Sequence, residues 1–278
     1  PNADNVKRLI GVISLNYNFF NDFNLSYKIG TDNYNEFNKK VTGDGSLIEN
    51  RQDGYISQFE KEHSRLTSNL FLNYQKNLTE NFSLDAMIGN SVEELDIRTT
   101  YTSGRAFQAP GIYSIGNILV ENQTISELIT RKRIVGVFGE LNNLPMSLDI
   151  SGDGKVNELF LNMTGRNDWS STLPKDKRSF FYPSIGMSAV VSDLIKTLGS
   201  DITSPKGLSY FKLRATWAQV GKDAPIGALE SSLGTNINGL ASSAYTWNGV
   251  NVGNPNLEPE FTNSFEIGTD LRFLENRI

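Results

Sequence analysis

Apolar and polar residues alternate along this sequence almost throughout, and a chain with that period folds into strands rather than helices. In the run RLIGVISLNYNFF, one face carries Leu9, Gly11, Ile13, Leu15, Tyr17 and Phe19. The pair Asn21-Asp22 follows, and a second alternating run starts at Phe23. Polar residues between two alternating runs are typical of a hairpin turn. The pattern therefore predicts two antiparallel strands joined by a tight turn at Asn21-Asp22.

The same alternation recurs farther along the chain. Two runs flank the turn sequence NLTEN at 77–81, and another run lies at 261–273. One face of these runs is apolar and often aromatic near the turns, whereas the other carries Asn, Ser, Thr, Lys, Arg and Glu. The fold is therefore expected to be all-β, with antiparallel strands.

The connections between the runs are alternately short and long. The turns at 21–22 and 77–81 are short, whereas 36–60, 101–130 and 222–260 are long and rich in Gly, Asn and Ser. Outer-membrane barrels have this asymmetry, with short periplasmic turns and long extracellular loops. A soluble β-sandwich shows the same alternation over any single hairpin. The pattern alone leaves both architectures open and favours the barrel.

Composition excludes several classes of function. The 278 residues carry a net charge of −5, which argues against a nucleic-acid partner, and contain no cysteine. The single histidine, His63, lies in the charged stretch FEKEHSRL and is expected to be a solvated surface residue. A catalytic triad or a histidine-based metal site would need that residue. We therefore expect neither an enzyme nor a bound metal or cofactor.

The segment GRNDWSSTLP at 165–174 combines two residues of opposite charge, an indole and three hydroxyl groups. Arg166 and Asp168 flank the expected end of a strand, and Trp169 suits a membrane interface. The hydroxyls of 170–172 can turn the backbone by hydrogen bonding to it. No general base accompanies the serines, so a nucleophile is not expected. The segment is expected to shape the chain at the strand end, with Arg166, Asp168 and Trp169 as candidate ligand contacts.

Aromatic residues in the long connections supply further candidates. Tyr101, Phe107 and Tyr113 lie in one connection, and Tyr245 and Trp247 lie in another. Such rings can stack on carbohydrate, and they can equally pack a loop against itself. We take Tyr245 and Trp247 as candidate ligand contacts and leave both explanations open.

Three longer stretches resemble the SusC/RagA family of TonB-linked (TonB-dependent) outer-membrane transporters. They are TGRNDWSSTLPKDKRSFFYPSIGMSAVVSDLI at 164–195, LSYFKLRATWAQVGKDAP at 208–225 and VGNPNLEPEFTNSFEIGTDLRFLENRI at 252–278. They follow the family's order and approximate spacing, whereas residues 1–163 are similar only in their hairpin rhythm. The resemblance implies an antiparallel transmembrane β-barrel of about 22 strands with an N-terminal plug in its lumen. Residues 1–278 contain no plug-like segment and are expected to form part of the barrel domain.

The resemblance also implies a function. The chain would belong to a nutrient importer in the outer membrane of a Gram-negative bacterium, embedded in the lipid bilayer. TonB-dependent uptake of oligosaccharides or peptides would involve a SusD-like surface lipoprotein, with TonB contacting an N-terminal region that the sequence lacks. The alternative is a soluble all-β carbohydrate-binding module, which would bury its apolar face. Both ends of the sequence look cut, so a fragment is expected.

Overall fold

The computed structural model describes residues 2–48, 51–79, 82–146, 159–197, 202–203, 207–231, 233–236, 244–247, 252–275 and 277. These residues form eleven strands and one short α-helix, besides two 3-10 turns. The strands are β1 Ala3–Phe19, β2 Phe23–Asp44, β3 Asp53–Thr79, β4 Phe82–Arg105, β5 Gln123–Met146, β6 Leu159–Ser170, β7 Ser179–Val190, β8 Leu208–Lys222, β9 Leu233–Asn236, β10 Ala244–Trp247 and β11 Glu260–Phe273.

Nine of these strands form one sheet in the order β1-β2-β3-β4-β5-β6-β7-β8-β11, and β9 pairs with β10 in a separate two-stranded sheet. Neighbours in the large sheet are therefore neighbours in sequence, apart from the step from β8 to β11. The pairings of β5 with β6, β6 with β7, β7 with β8, and β8 with β11 are all antiparallel. The expectation of an all-β antiparallel fold is confirmed.

The first hairpin closes where the sequence predicts. Between β1 and β2, Phe20 and Asn21 have φ angles of 52° and 58°, and the Asp22 amide donates to the Phe20 carbonyl at 2.6 Å. Asn tolerates the left-handed conformation better than most residues, which explains its position in this turn. The rings of Phe19 and Phe23 stack across the turn with centroids 5.3 Å apart.

Two of the three long connections are shorter than the sequence suggested. The predicted loop 36–60 is strand over most of its length, because β2 continues to Asp44 and β3 begins at Asp53. The predicted loop 101–130 is reduced to 106–122 in the same way. In these strand ends polar residues interrupt the apolar face, as Lys39 does between Phe37 and Val41, so the alternation becomes irregular although the backbone pairing continues.

By their internal contacts, the residues fall into two compact units. The first unit comprises Pro1–Ile13, Lys28–Ser68 and Val92–Arg133, and the second comprises Ser14–Tyr27, Asn69–Ser91 and Ile134–Ile278. The only α-helix of the described residues, α1, spans Val191–Thr197 in the second unit. No helix within the described ranges has the length and apolar character needed to span a membrane.

Ion pairs between β4 and β5 fix the register in the first unit. The pairs join Glu94 to Arg133 at 2.7 Å, Asp96 to Arg131 at 3.0 Å, and Arg98 to Glu127 at 2.5 Å. The side chains are well exposed, so each pair contributes only about 0–1 kcal/mol. Their joint effect is on register, because a one-residue slip would move every partner to the opposite face.

The connection between β4 and β5 is folded onto itself within the first unit. The Asn117 side-chain amide donates to the carbonyls of Ala109 at 2.7 Å and Ile112 at 2.8 Å. Ile118 is 2% exposed, and the rings of Phe107 and Tyr113 meet edge to face at 5.6 Å. This connection is therefore an ordered, internally packed loop.

A substitution at Gly54 tests whether the packing of Phe107 on this glycine keeps the loop in place. Gly45 and Gly54 both have left-handed φ angles, 78° and 84°, so alanine at either position carries about 1–2 kcal/mol of backbone strain. A methyl group at Gly54 would also overlap the Phe107 ring, whereas Gly45 has open space around it. We expect Gly54→Ala to destabilise the loop by about 1–3 kcal/mol more than Gly45→Ala. Chymotrypsin cleavage within 106–122 measures this; equal cleavage rates in the two variants would refute the packing.

Candidate functional site

The structure places three of the five sequence-predicted contact residues on one strand. Arg166, Asp168 and Trp169 lie in the last half of β6. Arg166 is paired with Phe138 of β5 on one side and with Tyr182 of β7 on the other. Arg166 and Asp168 share a face of the sheet, and Trp169 extends from the opposite face because strand side chains alternate. The three predicted contacts therefore do not form one site.

Arg166 and Asp168 are the centre of a largely buried polar network. The Arg166 Nε donates to Asp168 Oδ1 at 2.8 Å, and Tyr182 Oη donates to Asp168 Oδ2 at 2.6 Å. The Arg166 Nη2 donates to Ser91 Oγ at 2.8 Å, and its guanidinium carbon lies 5.1 Å from the centre of the Phe138 ring. Asp168 is only 7% exposed. This network joins β4, β5, β6 and β7 on one face of the second unit.

The hydrogen bonds of the Arg166–Asp168 pair limit what a ligand could contact there. Both carboxylate oxygens of Asp168 accept hydrogen bonds from side chains of the protein. A buried ion pair of this kind is costly to break, because either partner left alone is an uncompensated charge. Asp168 therefore positions Arg166 and Tyr182, and a ligand could reach only the outer part of the Arg166 guanidinium, whose side chain is 31% exposed.

Residues 170–173 and the start of the connection after β8 form a second buried network. Ser170 Oγ and Thr172 Oγ1 donate to Asp223 Oδ2 at 2.6 and 3.1 Å. The Thr172 amide donates to Ser170 Oγ at 3.3 Å, which confirms the hydroxyl–backbone turn expected from the sequence. Ser170 is 1% exposed, and Leu173, completely buried, packs in the same region. The segment 165–174 anchors one connection to another.

The structure describes the side chain of Trp169 but not those of Tyr245 and Trp247 in β10. Trp169 is 38% exposed and pairs through its backbone with Val135 and Ser179. Tyr245 and Trp247 pair through their backbones with Thr235 and Leu233 in the two-stranded sheet, but their side chains lie outside the described residues. A ligand contact remains a prediction for all five residues.

The aromatic residues of the predicted connection 101–130 contact one another or nearby protein groups. The Tyr55 and Tyr101 hydroxyls lie 2.9 Å apart and form a hydrogen bond. Phe107 packs on Tyr113, whose carbonyl accepts a hydrogen bond from Lys39 Nζ at 2.8 Å. Of the two explanations left open by the sequence, loop packing accounts for these contacts.

His63 is not the freely solvated residue that the sequence suggested. Its ring stacks on Tyr34 with centroids 4.5 Å apart and planes inclined by 14°. The His63 Nδ1 is buried and has no hydrogen-bond partner among the described residues. The pairing of β2 with β3 creates this contact, and a single sequence contains no signal for which residues face one another across two long strands.

A metal site finds no support in the part of the chain that the structure describes. No three His, Cys, Asp or Glu residues of that part come together in a way that could hold a metal ion. Where carboxylates do meet other charged groups, their partners are arginines or lysines, as in Arg8–Asp32 and Lys177–Glu258.

A nine-stranded antiparallel sheet whose strands, apart from the step from β8 to β11, are neighbours in sequence has the topology of a β-barrel wall segment. A family model described as "TonB dependent receptor-like, beta-barrel" matches residues 2–278. The chain belongs to this family.

Solved structures agree with this assignment. The chain is similar to chains from "Structure of the RagAB peptide transporter", with a TM-score of 0.84 and 15% identity. It is also similar to the RagAB peptide importer in its closed-closed and open-open states, with TM-scores of 0.82 and 0.81 and 15% identity in both. Each match covers 100% of this chain and 29% of the solved chain. No curated protein matches the chain.

Gly136 allows a test of the Arg166–Asp168 pair. A methyl group at Gly136 would overlap the Arg166 and Asp168 side chains, whereas at Gly139 the nearest atom would be the Met87 carbonyl oxygen at 3.7 Å. We expect Gly136→Ala to lower the free energy of unfolding by about 1–3 kcal/mol because it displaces a packed ion pair. Gly139→Ala, on the same strand, should change it by less than about 1 kcal/mol. Urea titration of the refolded protein in lipid vesicles distinguishes the two, and equal stabilities would contradict the geometry.

A substitution of Asp223 tests whether this carboxylate joins the turn after β6 to the connection after β8. Asp223→Ala would remove an acceptor from the buried hydroxyls of Ser170 and Thr172, at a cost of about 1–3 kcal/mol. Asp176→Ala removes a carboxylate from an exposed position in the neighbouring turn and serves as the control. We expect the melting temperature followed by circular dichroism to fall only in the Asp223 variant. A comparable loss in the Asp176 variant would show that charge, rather than the buried network, matters.

Proposed function

We propose that this chain forms part of the barrel wall of a TonB-dependent nutrient importer in the outer membrane of a Gram-negative bacterium. The observation that carries the proposal is the exposed apolar face of the second unit. Phe265 and Ile267 are 69% and 68% exposed, and Leu15 and Tyr17 are 63% and 67% exposed. Water around such a face would be unfavourable by roughly 25 cal/mol for each Å² of apolar surface. Lipid removes that penalty.

The scarcity of buried apolar residues supports the same proposal. Five apolar side chains are buried within the described ranges: Ile56, Ile118, Leu173, Phe180 and Ala224. A soluble β-sandwich of this length would bury the inner faces of two packed sheets. The alternative of a soluble carbohydrate-binding module therefore lacks the apolar core that it would need. The contacts of Tyr101, Phe107 and Tyr113 with other protein groups also remove three of the rings that favoured it.

Aromatic side chains gather at the short turns, as they do at the interfaces of membrane barrels. Phe23 lies between Phe19 and Tyr74, with ring centroids 5.3 and 4.7 Å away. Lys76, two residues beyond Tyr74, pairs with Asp22 of the turn at 3.0 Å. Aromatic rings followed by charged groups mark the boundary between hydrocarbon and headgroups. This hairpin end supports a membrane interface at that position.

The partners and ligand of the importer follow from the family. TonB would act through a region N-terminal to this chain, and a SusD-like lipoprotein would cover the barrel at the cell surface. The solved relatives are described as peptide transporters or importers. We therefore favour peptides over oligosaccharides as the imported ligand. All five predicted residues remain candidate contacts: Arg166 through its exposed edge, Asp168 through the pair with Arg166, and Trp169, Tyr245 and Trp247.

A membrane role predicts that the two faces of β11 respond differently to charge. Phe265 lies on the apolar face, and the adjacent Ser264 extends from the opposite face. We expect Phe265→Lys to lower the free energy of unfolding in lipid vesicles by about 2–4 kcal/mol when the site lies near the bilayer midplane. Ser264→Lys adds the same charge and should change it by less than about 1 kcal/mol.

The experiment uses the protein that carries this chain, refolded into phosphatidylcholine vesicles and titrated with urea. Heat-modifiable gel mobility reports the folded fraction independently. A folded, monodisperse protein in plain buffer, with both lysine variants equally stable, would refute the membrane proposal and favour the soluble module.

A further inference from the structure

A cluster of cationic and aromatic side chains in the first unit joins three strands and contains one cation, Lys61, that no ion pair between described residues accounts for. We call it the Tyr34 cluster, and it consists of Arg8, Asp32, Tyr34, Lys61 and His63. Arg8 lies on β1, Asp32 and Tyr34 on β2, and Lys61 and His63 on β3. Three neighbouring strands of the large sheet therefore contribute to it.

The phenol ring of Tyr34 is surrounded by positively charged or basic groups. The His63 ring stacks on it at 4.5 Å, the Lys61 Nζ lies 5.5 Å from its centre, and the Arg8 guanidinium carbon lies 5.9 Å from it. A cation this close to a ring face is attracted by the electrons of the ring. The ring thus holds the Lys61 ammonium group in a defined position without neutralising its charge.

Lys61 is the cation of the cluster that lacks a carboxylate partner. Arg8 donates two hydrogen bonds to Asp32, at 2.8 and 2.6 Å, so the Asp32 carboxylate balances its charge. The nearby Arg65 pairs with Glu93 at 2.9 Å. Lys61 forms no ion pair with any described residue, and its sequence neighbours Glu60 and Glu62 extend from the opposite face of β3.

Lys61 is the one charged group of the Tyr34 cluster without an ion pair to a described residue, and Glu36, two residues beyond Tyr34 on the same face of β2, forms none with it. Arg8 and Asp32 cancel, which leaves Lys61, while the chain as a whole carries a net charge of −5. A local cation that is maintained on an acidic chain, beside aromatic rings and a basic imidazole, is suited to a singly charged anion. A carboxylate fits best, because it accepts from an ammonium group and its organic substituent can pack on the rings.

We infer that the Tyr34 cluster binds a carboxylate group of the imported ligand, with Lys61 as the ion-pairing residue and Tyr34 and His63 as the packing surface. This inference rests on the proposed importer function. The carboxylate can be that of a peptide, at its C-terminus or on an acidic side chain, or that of a uronic acid in an oligosaccharide.

The test compares acidic ligands with their neutral counterparts. Tetraalanine with a free C-terminus and its C-terminal amide form one pair of probes, and tetragalacturonate and its methyl ester form the other. Binding to the complete protein that carries this chain is measured by isothermal titration calorimetry in detergent at low salt. We expect the acid of one pair to bind about 5-fold more tightly than its neutral form, because a partly exposed ion pair contributes up to about 1 kcal/mol.

Three variants establish whether Lys61 carries this preference. Lys61→Gln should abolish it, and Lys61→Arg should retain it because the charge remains. Lys7→Gln removes the same charge from an exposed position of β1 outside the cluster and should leave the preference unchanged. Because Lys61 lies on a strand surface without ion-pair partners, the variants are expected to fold, and heat-modifiable mobility checks this.

The outcomes separate this inference from the proposed function. A preference for the free-acid peptide that disappears in Lys61→Gln supports a peptide carboxylate, and the same result with galacturonate supports a uronate. If a probe binds but acid and neutral forms bind equally, or if Lys61→Gln keeps the preference, the inference is wrong while import stands. If the protein fails to insert into membranes, the importer proposal fails first and the inference fails with it.

Discussion

The backbone ladder between adjacent strands is the interaction on which the rest of this structure depends. The pairing of β8 with β11 runs from Glu260 opposite Lys222 to Phe273 opposite Leu208, with one irregularity next to Phe273. The ladder satisfies the backbone polar groups between the strands and makes no demand on the side chains. In hydrocarbon, each unsatisfied group would cost several kcal/mol. A sheet can therefore hold together while one of its faces stays apolar and exposed.

Because backbone hydrogen bonds hold the strands together, the side chains serve to select the register and to link particular strands and connections. The exposed ion pairs between β4 and β5 select a register rather than supply stability. The buried Arg166–Asp168 pair links side chains of four neighbouring strands, and Asp223 ties the end of β6 to the connection after β8. Buried polar groups of this kind are effective only when all their partners are present. They stabilise the places where the ladder ends or bends.

Turns and strands that depend on local alternation can be predicted from the sequence. Side-chain contacts that depend on the register between strands cannot. The turn at Asn21 and strand β11 are recognisable because one face is apolar and the turn residues are short and polar. The ends of β2 and β4 are not recognisable, because charged residues such as Lys39 and Arg98 interrupt the apolar face there. Arg166 and Asp168 could be chosen as candidates, but their partners lie 75 and 14 residues away. Neither partner could be identified without knowing which strands pair and in which register.

The register between strands also determines which side chains come together to bind a ligand. The connection between β4 and β5 uses its own groups to pack itself, as the contacts of Asn117 and of Phe107 with Tyr113 show. The Tyr34 cluster, by contrast, is assembled from three paired strands, so the distance from Lys61 to the Tyr34 ring is set by the ladder. Groups on paired strands are held more rigidly than groups on loops, and rigid placement reduces the entropy lost on binding. A strand surface with a cation that forms no ion pair with a described residue is therefore a better position for ligand discrimination than a loop packed by its own groups.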